Sequence, residues 1–136
     1  MKPKISTNKD ELNIDFIHQF LTNSYWAKGR TIDEVKNTIT HSLCFGIYLD
    51  GKQIGFARVV TDYTVYAHLM DVFITEEERG KGYSKILMES VINEPKLRKV
   101  QRWTLGTLDA HYLYKKFGFT QVEHPERMMI KTVNEY

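Results

Sequence analysis

Cysteine is nearly absent from this sequence: Cys44 stands alone among 136 residues. An internal disulfide is excluded, and so is a zinc site built from several thiolates. His, Cys and carboxylates nowhere fall at metal-ligand spacing, so no metal is expected. Proline is scarce, and Pro3, Pro95 and Pro125 each sit near a segment edge. With no internal repeat, low-complexity tract or linker, residues 1–136 read as a single domain. No apolar run approaches the ~18 residues of a membrane span, and the opening MKPKISTNKDELN lacks the apolar stretch of a signal peptide. A strong charge of one sign is missing too. Nineteen Lys and Arg against 17 Asp and Glu leave +2, too little to point to nucleic acid on charge alone. The expectation is a cytoplasmic chain in a reducing compartment, with neither nucleic acid nor membrane as partner.

What is present has clear periodicity. Hydrophobic residues at 42% and charged residues at 26% suffice for a core and exclude a disordered or fibrous chain. Ile14, Ile17 and Leu21, flanked by Phe16 and Phe20, predict a first helix. Thr31-Ile32-Asp33-Glu34 has the form of a capping box, and Ile32, Val35 and Ile39 line the face of a second helix behind it. Cys44 to Leu49 and Gln53 to Val60 read as strands joined by the hairpin turn Asp50-Gly51, with Cys44 as a small core hydrophobe. Tyr66 to Ile74 reads as a long central strand. Tyr83, Ile86, Leu87 and Val91 predict a third helix, Trp103 to Leu105 a short strand, and Ala110, Leu113, Tyr114 and Phe117 a fourth helix ended by Gly118. Short strands near Gln121–Val122 and Met128–Ile130 are expected to close the chain and to offer an edge for a homodimer. The fold class is α+β with a mixed sheet.

The segment Ile74-Thr75-Glu76-Glu77-Glu78-Arg79-Gly80-Lys81-Gly82-Tyr83-Ser84 lies between a predicted strand and a predicted helix. Glycines there let backbone approach a ligand, helix-start amides point at an anion, and Arg79 and Lys81 add positive charge. A diphosphate is the natural guest. The spacing is neither GxxxxGK[ST] nor GxGxxG after a first strand.

With Asp71-Val72-Phe73-Ile74 ahead of it, Arg79-Gly80-Lys81-Gly82-Tyr83-Ser84 resembles the signature of the GCN5-related N-acetyltransferase (GNAT) superfamily. Ala110-His111-Tyr112-Leu113-Tyr114-Lys115-Lys116-Phe117-Gly118-Phe119 resembles its second signature, Ala-x-x-x-Tyr-x-x-x-Gly-Phe. Two positions depart from the pattern: Ser84 replaces a glycine or alanine, and Thr107 stands where an Asn is often found. The resemblance implies a mostly antiparallel sheet with about four helices, splayed between its fourth and fifth strands. It also implies acetyl-CoA as donor and direct transfer to an amine in a ternary complex. The amides of Arg79, Gly80, Lys81, Gly82, Tyr83 and Ser84 would hold the pyrophosphate, and the backbone of Phe73 and Ile74 the pantetheine arm, with Thr107, Ala110 and Tyr114 beside the donor.

An amine attacks only when neutral, so a base has to take its proton, and the departing thiolate needs a proton or a hydrogen bond. Tyr114 matches the position of the donor to sulfur, although its spacing alone, on the apolar stripe with Ala110 and Phe117, favours a core tyrosine. Asp71, His68 and Glu78 are the candidate bases. Strict alternation puts His68 and Asp71 on opposite faces of their strand, and Asp71 has a simpler reading as an ion-pair partner of Arg58. Tyr25 and Trp26, between the first two helices, are candidates for an aromatic acceptor wall, or Trp26 for a staple between those helices. Arg58 is a candidate for binding a substrate carboxylate. The leading expectation is acetylation of a small-molecule amine. The alternatives are a protein N-terminus or lysine as acceptor, or an acyl-CoA-binding module without catalysis.

Overall fold

In the computed structural model, which describes residues 2–134, one sheet separates two apolar faces. Its strands lie in chain order: β1 (Lys4–Ser6), β2 (Leu43–Leu49), β3 (Lys52–Thr61), β4 (Tyr66–Ile74) and β5 (Arg102–Leu105). Neighbours are antiparallel except β4 and β5, which run parallel. The helices are α1 (Ile14–Thr22), α2 (Ile32–Thr40), α3 (Tyr83–Ile92) and α4 (His111–Lys115). The fold is the mixed α+β class expected, and no helix among the described residues is long and apolar enough to cross a membrane.

Short-range signals act as they should. Thr31 and Glu34 form the reciprocal capping box of α2, so two orphan amides are satisfied at once. Asn13 caps α1 by accepting from the Phe16 amide at 3.0 Å. Asp50 and Gly51 both take left-handed φ, 48° and 79°, the geometry whose twist matches a two-residue hairpin. On one face, Leu87, Met88 and Val91 of α3 pack on Phe45, Ala57, Val59 and Leu69. On the other, Ile17, Leu21, Val35 and Ile39 of α1 and α2 cover Cys44, Phe56 and Phe73. Burial lifts the Cys44 thiol to about 11, so it packs as a neutral, inert group.

Three expectations are corrected. Ile86 is exposed, and Met88 takes its place in the buried stripe of α3. β1 was not anticipated, because a three-residue strand carries no readable alternation; it pairs with β2 from Lys4↔Tyr48 to Ser6↔Gly46. Residues 121–122 and 128–130 form no strand, and every described residue from 120 to 134 is exposed. The homodimer edge expected from those strands is therefore not formed within the chain.

β4 has one irregularity that redirects a side chain. Its pairing with β3 passes from Arg58↔Met70 to Phe56↔Phe73, so Asp71 and Val72 together oppose Ala57 in a β-bulge. Asp71 takes φ 54°, a left-handed conformation that Asp tolerates better than most residues. Ala67 and Leu69 pack in the α3 core, so strict alternation would send Asp71 there as well. The extra residue turns it to the opposite face, the one His68 occupies. The two residues thus share a face, contrary to the period-2 expectation.

On that face Asp71 Oδ2 accepts from Arg30 Nη1 and Arg58 Nε, each at 2.8 Å, and Oδ1 accepts from Trp26 Nε1 at 2.9 Å. Arg58 also donates to Ser42 Oγ at 3.0 Å and contacts Met70 Sδ at 3.5 Å. Arg30, Arg58 and Asp71 are buried, with exposures of 5%, 6% and 5%. Asp71→Asn keeps the shape and removes the one negative charge, leaving two guanidinium groups in the interior. The expected cost is about 3–5 kcal/mol, the range for breaking a buried ion pair. It would be read as a lowered urea midpoint, and a loss under about 1 kcal/mol would reduce the cluster to the worth of a surface pair.

Candidate active site

The β4–β5 ladder begins at Tyr66↔Arg102 and ends at Leu69↔Leu105. β4 continues to Ile74, so among the described residues none pairs as a strand with residues 70–74 on their β5 side. The sheet opens there, and what it offers is backbone. The side chains of Phe73 and Ile74 are 5% and 4% exposed, and the Phe73 ring stacks on Phe20 at 3.8 Å with planes 5° apart.

Directly beyond the opening, the chain forms a 3-10 turn over Glu76–Glu78 and then enters α3 through the glycine loop. Gly80 and Gly82 have φ of 79° and 83°, and no atom lies within 4 Å of where a Cβ would stand at either. The first helical hydrogen bond is from the Ile86 amide to Gly82 O, at 3.3 Å, and among the described residues no backbone acceptor pairs with the amides of residues 80–85. Open space, left-handed glycines and unused amides at a helix start together suit an anion approaching the backbone closely. Arg79 Nε donates to Ile74 O at 3.0 Å, with its guanidinium 6.0 Å from the Phe20 ring, and so ties the loop to the end of β4. Lys81 pairs with Glu78 at 2.9 Å. That pairing keeps the Lys81 ammonium above its usual range and places Glu78 on the loop rather than along β4. Tyr83 and Ser84, on the first turn of α3, are half-buried.

Across the opening stands α4. Thr107 Oγ1 accepts from the Ala110 amide at 3.0 Å, so the residue in the usual Asn position braces the turn that leads into this short helix, whose N-cap Ala110 has no side-chain cap. Tyr114 is 8% exposed and meets Phe119 edge to face at 6.0 Å. Desolvation pushes its hydroxyl up to about 12, with smaller electrostatic contributions from Tyr25, Asp109 and Tyr112. The hydroxyl is therefore protonated throughout the neutral range, and Tyr25 reaches it electrostatically from the other side of the cleft.

The α1–α2 connection, expected from the sequence to border the acceptor, is fastened to β4 through the Trp26–Asp71 hydrogen bond. Tyr25 is 64% exposed and sits edge to face on Trp26 at 5.2 Å. Trp26 lies 6.2 Å from Phe20 and is held by Asp71, so it fastens the connection to β4 rather than one helix to the other. Arg58 does not await a carboxylate from outside: its nitrogens are taken by Asp71, Ser42 and Met70. Both Asp71 oxygens are likewise engaged within the protein, as the ion-pair reading anticipates, and that leaves it ill placed to accept a substrate proton.

His68 is different. Its Nδ1 lies 2.6 Å from Thr104 Oγ1 on β5, and Thr104 Oγ1 makes a further short contact with the Tyr66 hydroxyl. Burial, reinforced by the Arg58 charge, holds the His68 imidazole below its usual 6.5, so the neutral ring prevails at pH 7. Thr104 and Arg30 were not singled out from the sequence. Thr104 could be found only from the β4–β5 register, and Arg30 only from knowing where the bulge turns Asp71. Two shallow cavities of about 320 Å³ elsewhere, one beside Ile5 and Phe45 and one beside Lys4 and Tyr48, touch none of these residues.

Residues 40–121 match the family model of the acetyltransferase (GNAT) domain. A crystal structure from Xanthomonas campestris pv. campestris, of a protein assigned to the GNAT family of acetyltransferases, superposes with a TM-score of 0.94. The two are 43% identical, over 98% of this chain and 94% of that one. A Gibberella zeae protein assigned as an acetyltransferase is 29% identical, over 82% of this chain and 75% of its own length. Glucosamine-6-phosphate N-acetyltransferase from Arabidopsis thaliana, 18% identical, shares the fold with a TM-score of 0.68 over 98% of this chain and 100% of that one. With the opened β4–β5 pair, the glycine loop and the family model in agreement, the chain belongs to the GNAT family of acetyltransferases.

Proposed function

We propose that this chain transfers an acetyl group from acetyl-CoA directly to the amine of a small molecule, within a ternary complex and as a single domain. The observation that carries the reading is the meeting of unused amides in the glycine loop, an unpartnered stretch of β4 and a neutral histidine beside it. Acetyl-CoA, when bound, supplies the activated acyl group and a thiolate leaving group. Residues 80–84 would hold its pyrophosphate through backbone amides, the Arg79 amide being bonded to Glu76 O at 3.3 Å, and the open edge of β4 at Phe73 and Ile74 would bond to its amide-bearing arm as a strand does.

His68 is the base in this reading. With Nδ1 engaged by Thr104, Nε2 remains to take a proton from the acceptor nitrogen, whose acidity rises steeply as it bonds to carbon. Asp71 serves as a positioning residue, holding Trp26 and Arg30 in place. Tyr114 keeps its proton at the hydroxyl and donates a hydrogen bond to sulfur. At about 12 the phenol is a weaker acid than a thiol near ~8.5, so a hydrogen bond is favoured over full proton transfer. The acceptor-side residues Tyr25, Trp26, His68 and Met70 are aromatic or neutral, and Asp71 is neutralised twice. That favours a small amine over a peptide, which would call for an acidic groove.

A panel of amines assayed for CoA release tests the activity, and absence of release with every amine would leave only binding. His68 gives the pH signature. Its imidazole titrates below 6.5, so kcat/KM should fall on the acid side only below that pH, as the ring protonates. His68→Gln should abolish that limb and cut the rate at pH 7 by ~10²–10⁴, the usual worth of a general base. An unchanged acid limb would move the base elsewhere.

Tyr114→Phe retains the ring and its contact with Phe119 while deleting the hydroxyl. Because the phenol acts by hydrogen bonding, kcat and kcat/KM should fall together by about 10², the low end of acid–base contributions. Turnover within about threefold of the unmodified protein, with chemistry rate-limiting, would return Tyr114 to a purely packing role.

A further inference from the structure

Three polar side chains line up along the parallel β4–β5 ladder, just short of the point where the sheet opens. Tyr66 and His68, two residues apart on β4, share a face, and His68 pairs in register with Thr104 of β5. Thr104 Oγ1 lies 2.6 Å from His68 Nδ1 and also contacts the Tyr66 hydroxyl. His68 and Thr104 are half-buried, whereas Tyr66 is 40% exposed. His68 Nε2 has no hydrogen-bond partner among the described residues. The row thus runs from an unpaired imidazole nitrogen at one end to solvent at the other.

A hydroxyl both donates and accepts, and a neutral imidazole has one N–H and one bare nitrogen. Two arrangements therefore make both inner hydrogen bonds. In the first, Nδ1–H donates to Thr104, Thr104 donates to Tyr66, and Tyr66 donates to water, which leaves Nε2 bare. In the second every donor is reversed, and Nε2 carries the hydrogen. They differ by one proton taken in at Nε2 and one released at Tyr66. Neither contains an imidazolium, the form that burial and the Arg58 charge disfavour here. A base in these surroundings has to shed its proton while substrates fill the cleft, and Nδ1 is the only other nitrogen it has.

We propose that Thr104 and Tyr66 form a proton exit from His68 to solvent during acetyl transfer. This rests on His68 being the base. As the acceptor nitrogen bonds to the acyl carbon and the carbon–sulfur bond breaks, the nitrogen's proton passes to Nε2 and sulfur leaves with the electron pair. The Nδ1 proton moves to Thr104 Oγ1, the Thr104 proton to the Tyr66 oxygen, and the Tyr66 proton to water. Once product departs, loss of the Nε2 proton to water in the cleft and return of one at Tyr66 restore the first arrangement. Thr104 and Tyr66 are positioning residues, since each acts through His68.

Tyr66→Phe and Thr104→Val each delete one hydroxyl while keeping the bulk of the side chain. They are compared with His68→Gln at pH 7, using the amine that releases CoA fastest. Both should lower kcat by about tenfold, less than the ~10²–10⁴ lost with the base itself. The KM for the amine should stay within about twofold, because the interaction belongs to the reaction and not to binding. Thr104→Ser, which keeps the hydroxyl, should recover kcat relative to Thr104→Val. Nitrogen NMR of the full chain labelled at histidine needs no substrate. The unmodified protein should show both neutral tautomers of His68 in exchange. Tyr66→Phe should show the Nε2–H tautomer alone, since Thr104 then has only Nδ1 to donate to. A slow His68→Gln beside Tyr66→Phe and Thr104→Val at the unmodified rate would overturn the exit and leave the base assignment standing. A raised KM at unchanged kcat, or Thr104→Ser as slow as Thr104→Val, would overturn it as well. A His68→Gln that is not slow removes the base and the exit together. Should no amine release CoA, a single tautomer that Tyr66→Phe leaves unaltered rules the array out.

Discussion

Two guanidinium groups and one carboxylate sit together beneath the α1–α2 connection, and the arrangement of the acceptor side follows from how they share charge. Taking such ions out of water costs several kcal/mol each, so the cluster is tolerated only if its hydrogen bonds are made. Asp71 spends one oxygen on Arg30 and Arg58 and the other on Trp26, while Ser42 and the Met70 sulfur meet the remaining face of Arg58. A cluster of this kind contributes more to geometry than to net stability, because a well-packed apolar replacement is often as stable. Here the geometry it fixes is the seating of an otherwise irregular connection, through Trp26 and Arg30, on the middle of β4. Burial, and after it the charge of Arg58, disfavours imidazolium at His68. An arginine of the cluster that anchors the loop therefore adds to the burial that keeps the candidate base neutral.

The bulge that turns Asp71 and the end of the β4–β5 ladder at Leu69 fall side by side. Bulges sharpen local twist, and a strand that twists away from its neighbour exposes amides and carbonyls that have to be satisfied. A ligand arm carrying its own amides can take the place of the missing strand. The glycine loop follows at once, so the same few residues that leave the ladder deliver the chain to a helix start with unused donors. The opening, the anion loop and the anchor of the acceptor side are consequences of one irregular strand.

Features that depend on neighbours in sequence were legible from it. The Thr31–Glu34 box and the Asp50-Gly51 turn are each specified within a few residues and stand as read. The Arg79-Gly80-Lys81-Gly82 segment forms the glycine turn into α3 that its residues predict, with the Arg79 amide bonded to Glu76 O. Features that depend on register were not. An arginine in the apolar strand β3 reads as a hook for substrate, and only the pairing Arg58↔Met70 followed by Phe56↔Phe73 reveals that a bulged Asp71 turns toward it. The hold of Thr104 on His68 spans two strands separated by α3, and no local pattern announces it. Residues 128–130 have strand composition, but composition cannot supply an edge to pair with.

α4 illustrates how packing sets chemistry. Five helical residues are far fewer than the ~12–15 at which an isolated helix becomes even marginal in water, so side-chain contacts must hold this one. The Thr107 hydroxyl on the Ala110 amide and the Tyr114 ring against Phe119 are prominent among them. The ring anchors because it is buried, and the same burial lifts the hydroxyl to about 12. A more exposed tyrosine would be a stronger acid on a less secure helix; a more buried one would hold the helix and lose access to substrate. A thiolate whose conjugate acid lies near ~8.5 can depart without receiving the whole proton. A fixed hydrogen bond is then sufficient, and a short helix resting on Tyr114 is compatible with the proposed chemistry.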